Sequence, residues 1–387
     1  MLVKKAYKFK LKPTKLQEEL LVSFAGHTRF LWNHALYLNL ERLKNFQPIM
    51  YYQELDYWSK YWKKSENYGF LKECPAHILQ QKLKDLEKAF KDCFDKKQPN
   101  KRLPKFKKRN LDDSFRFPEP KQIKLENRHI TFPKLGRIRF YKSNKILGKI
   151  KNYTISRKAD SWYVAIQVEQ ELGKNQVNST KAIGLDVGIK HFVSTSNGEQ
   201  IAPLNMYRKL ESRLSIEQRK LKNKVKFSNN WKKQQNKIRK LHVKIRNARH
   251  DFLHKLSTKL SKNHAMIVVE ALKVKNMSKS AKGTLESPGR NIKAKSGLNK
   301  SILDQGWHEF KRQLKYKLEW QGGIFLEVPA AYTSQRCSSC NCVSKDNRMT
   351  QEGFKCIDCN LELNADINAA KNVLAAGHAV LACGVSA

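Results

Sequence analysis

Two cysteine pairs, Cys337-x-x-Cys340 and Cys356-x-x-Cys359, are separated by fifteen residues. Pairs at this spacing sit on two knuckles that can close one tetrahedral site of four sulfurs, the zinc-ribbon arrangement. Four thiolates leave no open coordination position, so the expected Zn²⁺ is single and structural, stapling a segment too small to bury a core of its own. Cys342 makes CSSCNC and is a rival ligand, whereas Cys74, Cys93 and Cys383 lack partners at ligand spacing and read as ordinary buried or free thiols. Cysteines spaced for metal rather than for disulfides suit a reducing compartment. The opening MLVKKAYKFKLKP has no apolar core of signal-peptide length, and no run reaches the roughly 18 apolar residues of a membrane helix. A cytoplasmic protein with no membrane partner is expected.

Charge is the second constraint. The 387 residues hold 77 Lys and Arg against 34 Asp and Glu, a formal net charge of +43. Self-repulsion on that scale opposes compaction unless a polyanion is present, and a nucleic acid supplies one: each cation that displaces a condensed counterion from a phosphate gains release entropy, whatever the base sequence. With 40% apolar residues the chain can still bury real cores, and its length suits two to four domains.

Along the chain, KKAYKFKLKP alternates as a half-buried strand does. Thr14, with Gln17 three residues on, forms a capping box for a helix whose apolar positions are Leu16, Leu20, Phe24, Phe30, Leu31 and Leu38. Two more helices are predicted over Tyr52–Trp62 and Ala76–Phe94. Tyr57, Trp58, Tyr61 and Trp62 could stack on bases, but core is the expected role. From Lys101 onward, short β-type runs (DSFRFP, RHITFP, RIRFY, KNYTISRK, SWYVAIQVE) predict a small antiparallel barrel or sandwich. Basic residues between its apolar ones, notably Lys105, Lys107, Lys108 and Arg109, are candidates for phosphate contact.

KAIGLDVGIKHFVSTSNGEQIAP then predicts three consecutive strands, the start of a ribonuclease H-like sheet, with Asp186 ending the first. By itself GLDVG is an Asp in a strand-end turn. Between Asn205 and Arg249 there are 16 Lys or Arg and two acids, Glu211 and Glu217, yet the apolar residues keep helical order. One stripe is Leu210, Leu214, Leu221 and Val225; another is Ile238, Leu241, Ile245, Phe252, Leu256 and Leu260. These stripes predict an antiparallel helical hairpin, its basic face (Lys232, Lys233, Arg239, Lys240) a candidate nucleic-acid surface. AMIVVEAL is a buried strand with Glu270 near its end, where a carboxylate costs solvation energy unless something cationic receives it. KSAKGTLESPGRNIKAKSG reads as a loop able to move over a site, Asn299–Trp320 as one helix buried along Leu303, Gly306, Phe310, Leu314 and Leu318, and GIFLEVP as a further strand. LNADINAAKNVLAAG is a helix with Asp366 near its start, where an Asp is usually a cap or dipole partner. Three carboxylates at strand and helix ends in this order can hold two Mg²⁺ ions for phosphodiester cleavage.

GLDVG, IVVEAL with KVKNM, LNKSILDQGWHEF, TSQRCSSC and DINAAKN resemble the successive blocks of TnpB proteins. KAYKFKLKPTKLQEELL with TRFLWNHAL resembles their amino terminus, and LPKFKKR with DSFRFP the start of their barrel. The resemblance spans nearly the whole chain. It implies a multidomain α+β architecture: a split wedge-type β-barrel (1–12 and 101–178), a helical recognition domain (13–100), a split ribonuclease H-like RuvC nuclease domain (179–334 and 361–387) and an inserted zinc-ribbon module (335–360). It also implies a transposon-encoded, RNA-guided DNA endonuclease. A monomer would bind a guide RNA from the transposon end and cut double-stranded target DNA beside a short flanking motif, with Asp186, Glu270 and Asp366 as catalytic, Mg²⁺-holding carboxylates. The chain departs from the family at Asn364 and Ala365, where many members have an acidic-basic pair, and at Asn341, where they have Gly. A transposase joining DNA ends, or an idle RNA-guided binding protein, remain alternatives on the sequence alone.

Overall fold

The computed structural model describes residues 1–109, 113–172 and 179–384. The expected boundaries at 178 and 387 therefore lie outside the described residues. Two compact units emerge, one of Leu2–Glu171 and one from Leu172 onward that also includes Met1.

In the first unit, β1 (Leu2–Lys12) leads into α1 (Lys15–Lys44), α2 (Tyr52–Lys64) and α3 (Ala76–Phe94). The capping box is present: the Gln17 amide donates to Thr14 Oγ1 at 3.3 Å and the Thr14 amide to Gln17 Oε1 at 3.0 Å. Six strands come next: β2 (Ser114–Phe117), β3 (Lys124–Leu125), β4 (His129–Phe132), β5 (Gly136–Phe140), β6 (Lys149–Lys158) and β7 (Ser161–Glu171). With β1 they make a seven-stranded antiparallel sheet, ordered β2-β6-β7-β1-β5-β4-β3. β1 changes partner along its length, pairing with β7 up to Lys10 and with β5 at Leu11 and Lys12, which bends the sheet onto itself. Phe117 on β2 stacks on Phe132 on β4 at 4.9 Å, and Tyr153 meets Phe132 edge-on at 5.9 Å. The sheet thus closes in barrel fashion over an aromatic interior, where each buried Phe contributes about 1.5–3 kcal/mol. α1 and α3 bury Leu21, Phe24, Leu31, Leu83 and Phe90 into the same core.

The expected role of the α2 aromatics is corrected. Tyr57, Trp58 and Tyr61 are exposed, packing on one another with ring centroids 5.0–6.0 Å apart, and only Trp62 turns inward. Buried positions on α2 are Leu55 and Ser59, so its inner stripe is narrower than the aromatic content suggested. Leu16 in the first turn of α1 is also exposed.

The second unit is built on β8 (Ala182–Asp186), β9 (Val193–Thr195), β10 (Gln200–Ile201), β11 (Met266–Glu270) and β12 (Ile324–Val328). Their order is β10-β9-β8-β11-β12, with the first three antiparallel and β11 and β12 parallel to β8. The unit's first strand, β8, is thus the central one. Between β10 and β11 lies the expected hairpin, α4 (Met206–Lys222) and α5 (Asn229–Asn263), joined through Leu214, Ile238 and Leu241. Val225 does not extend that stripe: it lies beyond α4 and is exposed. The far end of α5 is anchored in the sheet's core by Leu253, Leu256 and Leu260.

After the short α6 (Val274–Met277), the single helix expected over 299–320 is two helices, α7 (Ile292–Gln305) and α8 (Trp307–Gln321). Gly306 breaks them with φ of 75°, a left-handed conformation that glycine adopts without strain. The break rotates Leu303 out to solvent while Phe310, Leu314 and Leu318 stay buried. A two-stranded sheet, β13 (Gly353–Lys355) and β14 (Glu362–Asn364), precedes α9 (Ala365–Ala382), which packs on β8. That approach explains a glycine in GLDVG: a Cβ on Gly184 would lie 2.2 Å from the Ala370 carbonyl oxygen of α9. Among the described residues no helix is long and apolar enough to cross a membrane.

Candidate active site and cysteine cluster

Asp186 is the last residue of β8, Glu270 the last of β11, and Asp366 lies in the first turn of α9. β8 and β11 are parallel neighbours, so their carboxyl-terminal ends deliver Asp186 and Glu270 to the same edge. α9 crosses β8 and β11 with its amino terminus toward that edge. Asp186 feels the other two: its carboxyl is pushed up to about 7, first by burial, then by the negative charges of Glu270 and Asp366. The Arg348 guanidinium and the Val187 amide pull it the other way.

Glu270 is 7% exposed, and burial raises its carboxyl against two opposing effects, a hydrogen bond from Thr333 and the charge of Lys311. Thr333 Oγ1 donates to Glu270 Oε1 at 2.6 Å, a short contact typical of a charged acceptor. Lys311, itself buried, donates to the Glu270 carbonyl oxygen at 3.3 Å and to Glu327 Oε2 at 2.5 Å, tying the ends of β11 and β12. Asp366 Oδ1 lies 3.5 Å from Arg348. Asn364, where the family pattern has a charged residue, caps α9: its Oδ1 accepts the amides of Asp366 and Ile367. An Asp186 carboxyl raised by burial and by two nearby acids is a donor that a hard divalent cation would relieve.

Thr333, Lys311 and Arg348 do not stand out in the sequence. Each is one more hydroxyl or cation in a basic chain, and no local pattern separates them from their neighbours. The same holds for a groove of about 630 Å³ beside Lys311, lined by Lys273, Lys275, His308, Arg312 and Lys315.

Cys337, Cys340, Cys356 and Cys359 converge as the spacing predicts, their sulfurs all within 4.8 Å of one another. The sulfurs of Cys337 and Cys359 are 3.5 Å apart and those of Cys340 and Cys356 3.4 Å. These separations are far beyond a disulfide bond of about 2.0 Å and close to the edge of about 3.8 Å of a tetrahedron with 2.3 Å metal–sulfur bonds. The donor set therefore fits zinc, and Cys342 is outside it. The knuckles repeat one geometry. Asn341 and Asn360 come directly after the second cysteine of each with φ of 62° and 56°, and their amides donate to the carbonyls of Cys337 and Cys356. Asn tolerates the left-handed region better than most residues, which accounts for Asn341 at a family glycine. Cys74 is buried, its thiol pushed up to about 12 by burial; Cys93 is half-buried and Cys383 exposed.

The basic candidates divide. Lys105, Lys108 and Arg109 are exposed, while the segment carrying them is laid on α1 by Trp32 Nε1 donating to the Lys105 carbonyl and by reciprocal bonds between Asn33 and the Lys107 backbone. Lys107 is half-buried with its ammonium over the Trp32 ring at 3.7 Å, so this cation is turned inward. On α5, Lys232, Lys233 and Lys240 are exposed and Arg239 half-buried.

A family model described as "Probable transposase", for OrfB of IS605, matches residues 164–281, and a "Cas12f1-like, TNB domain" model matches 307–373. The chain is 48% identical over 379 residues to "Putative RNA-guided DNA endonuclease InsQ" of Escherichia coli K12, covering 98% of this chain and 94% of that one. The chain belongs to the TnpB family. A second relative, a "Putative RNA-guided DNA endonuclease" of Streptomyces pristinaespiralis, is 30% identical over 387 residues, covering 99% of this chain and 91% of that one. A solved Cas12f1 chain, from a complex with single guide RNA and target DNA, superposes with a TM-score of 0.54 at 12% identity, covering 96% of this chain and 98% of that one. That likeness speaks to fold alone. A model described as "Helix-turn-helix domain" covers residues 1–47, yet here they form β1 and the unbroken α1.

Proposed function

We propose that this chain is a metal-dependent, RNA-guided DNA endonuclease in which Asp186, Glu270 and Asp366 form the cleavage site. The observation that carries the reading is an Asp186 carboxyl raised by burial and by the charges of Glu270 and Asp366 at one edge of a ribonuclease H-like sheet, in a chain related along its whole length to relatives named as RNA-guided endonucleases. Two divalent cations held by the three carboxylates would supply an activated water and stabilise the leaving oxygen of the scissile phosphodiester. The protein's part is to hold these carboxylates in place. Thr333 and Lys311 restrain Glu270, the Asn364 cap fixes the first turn of α9, and Arg348 offers a cation beside Asp366. The groove with Lys273, Lys275, Arg312 and Lys315, and the exposed face of α5 with Lys232, Lys233 and Lys240, suit phosphate backbones.

On this reading sequence is read by base pairing between a guide RNA from the transposon end and the target, while the protein holds the heteroduplex through shape and backbone. The curled sheet acts as the wedge, α1–α3 as the recognition region, and the cysteine cluster as a structural zinc module inserted in a RuvC-type nuclease; one copy of the chain serves each ribonucleoprotein.

The test is to express the protein beside its native downstream transposon sequence, sequence the copurifying RNA, and assay Mg²⁺-dependent cutting of a matching duplex. One RNA species ending in a variable segment, with cutting lost in Asp186→Ala, supports the proposal. Heterogeneous RNA released by moderate salt, or DNA joining without RNA, would return the transposase reading.

A further inference from the structure

The link between the cysteine cluster and the carboxylates runs through a short hydrogen-bonded chain that the cleavage reaction does not itself explain. Thr333 is buried, 8% exposed, and its hydroxyl makes two contacts: it donates to Glu270 Oε1 at 2.6 Å and lies 3.2 Å from the Ala330 carbonyl oxygen. Its own carbonyl accepts a bond from Asn372 Nδ2 at 2.9 Å. Asn372 Nδ2 also reaches the Arg336 carbonyl at 2.7 Å, and Asn368 Nδ2 reaches the same oxygen at 2.8 Å. Asn368 Oδ1 in turn accepts the Ser338 amide at 3.0 Å, inside the first cysteine knuckle. Asn368 is fully buried and Asn372 nearly so, both on α9 beyond Asp366. Two amide side chains one helical turn apart thus clamp the backbone 333–338. That backbone leads directly into Cys337.

We propose that Thr333 is a positioning residue for the cleavage site: by occupying Oε1 of Glu270 it fixes the carboxylate rotamer and leaves Oε2 for a divalent cation. The Asn368–Asn372 clamp ties that geometry to the folded cysteine module. The inference rests on the reading of Glu270 as a metal-holding carboxylate. A carboxylate that accepts one strong hydrogen bond on one oxygen presents the other in a single direction. Partners of metal ligands that orient them in this way typically control metal affinity or activity by about 10- to 100-fold. The arrangement also makes the zinc module more than a stability device, because loss of the knuckle would release Thr333 and with it Glu270.

The test uses the full chain, purified free of RNA, and titrates Mn²⁺ while reading the free ion by electron paramagnetic resonance. Asp186→Ala and Glu270→Gln define the part of the binding that depends on the carboxylates. Thr333→Val, which keeps the shape and removes the hydroxyl, should weaken that part about tenfold or more, with zinc content and guide-RNA affinity unchanged. Thr333→Ser should restore it. Asn372→Ala should weaken it less, since the hydroxyl remains but its backbone is loosened. Carboxylate-dependent Mn²⁺ binding that is unchanged in Thr333→Val would overturn the positioning role. If Thr333→Val fails to hold zinc, Thr333→Ser and Asn372→Ala decide: unchanged affinity in Asn372→Ala then overturns the coupling to the clamp. Mn²⁺ binding that survives in both Asp186→Ala and Glu270→Gln would instead remove the underlying metal-site reading.

Discussion

The cysteine cluster and the carboxylate cluster are both candidate metal sites within one unit, yet they are assembled by opposite means. The cysteines come from two knuckles of one repeated local design, each closed by its own backbone bonds and an asparagine in the left-handed region. The carboxylates come from β8, β11 and α9, and no two share a local motif. The first site is written in spacing. The second exists only when a parallel strand pair and a crossing helix are in place. A metal is expected to fold the first and to neutralise the second, whose scaffold carries its own core of buried Ile267, Val268, Val269 and Phe310.

This contrast can be broken or sharpened by experiment. The largest effect is expected at the cysteines: Cys356→Ser should abolish zinc binding, forfeiting metal-linked folding free energy on the order of 10 kcal/mol. Zinc content and proteolysis between residues 333 and 364 would report it, and a zinc-free mutant with a protected module and full activity would break the distinction. Next, Asp186→Ala or Glu270→Ala should cut cleavage by about 10³-fold or more, as loss of several kcal/mol of charge stabilisation implies. RNA affinity should stay near wild type; an equal loss of RNA binding would argue that the acids serve the fold.

A smaller effect concerns pH. Without divalent cations Asp186 binds its proton more tightly in the folded chain, near 7, than in the unfolded chain. Between about pH 4 and 7 the native state therefore holds the extra proton, and stability falls as pH rises, by up to about 1.4 kcal/mol per unit, levelling off above 7. Urea melts in chelator at pH 5, 6, 7 and 8, compared with Asp186→Asn, should show this slope in the wild type and its absence in the variant. Parallel curves would mean that neither burial nor the neighbouring acids raise the Asp186 carboxyl. The smallest effect is expected at Gly184→Ala, whose Cβ meets the α9 backbone and should cost about 1–3 kcal/mol. It should also displace α9, so cleavage should fall with stability; a stable, active variant would show that α9 need not press on β8 for Asp366 to reach the site.

Local signals carried much of the fold. The capping box at Thr14 set the start of α1, apolar runs gave β8, β11 and β12, and helical periodicity gave α3 and the α4–α5 hairpin. Where periodicity alone was the guide it failed in two ways. Aromatic side chains on α2 counted as core lie on its outer face, and one apolar stripe over 299–320 was cut by Gly306, whose left-handed backbone a hydropathy pattern does not register. Lys107 shows a third limit: among basic neighbours it looks like a phosphate contact, but Trp32 draws its ammonium inward.

By itself the sequence determined the features that spacing over a few residues can settle: most strands and helices, that four cysteines can meet, and that a chain of charge +43 suits a polyanion. It also nominated the three acids, through their place in an ordered series of family blocks. Only the tertiary structure decided what surrounds them. Thr333 meets Glu270 across 63 residues of chain, and the Asp186 carboxyl is raised by burial and by acids on two other elements. Such contacts depend on strand order and helix approach, which are set by packing of the whole core, whereas a knuckle or a cap is closed by its own few residues.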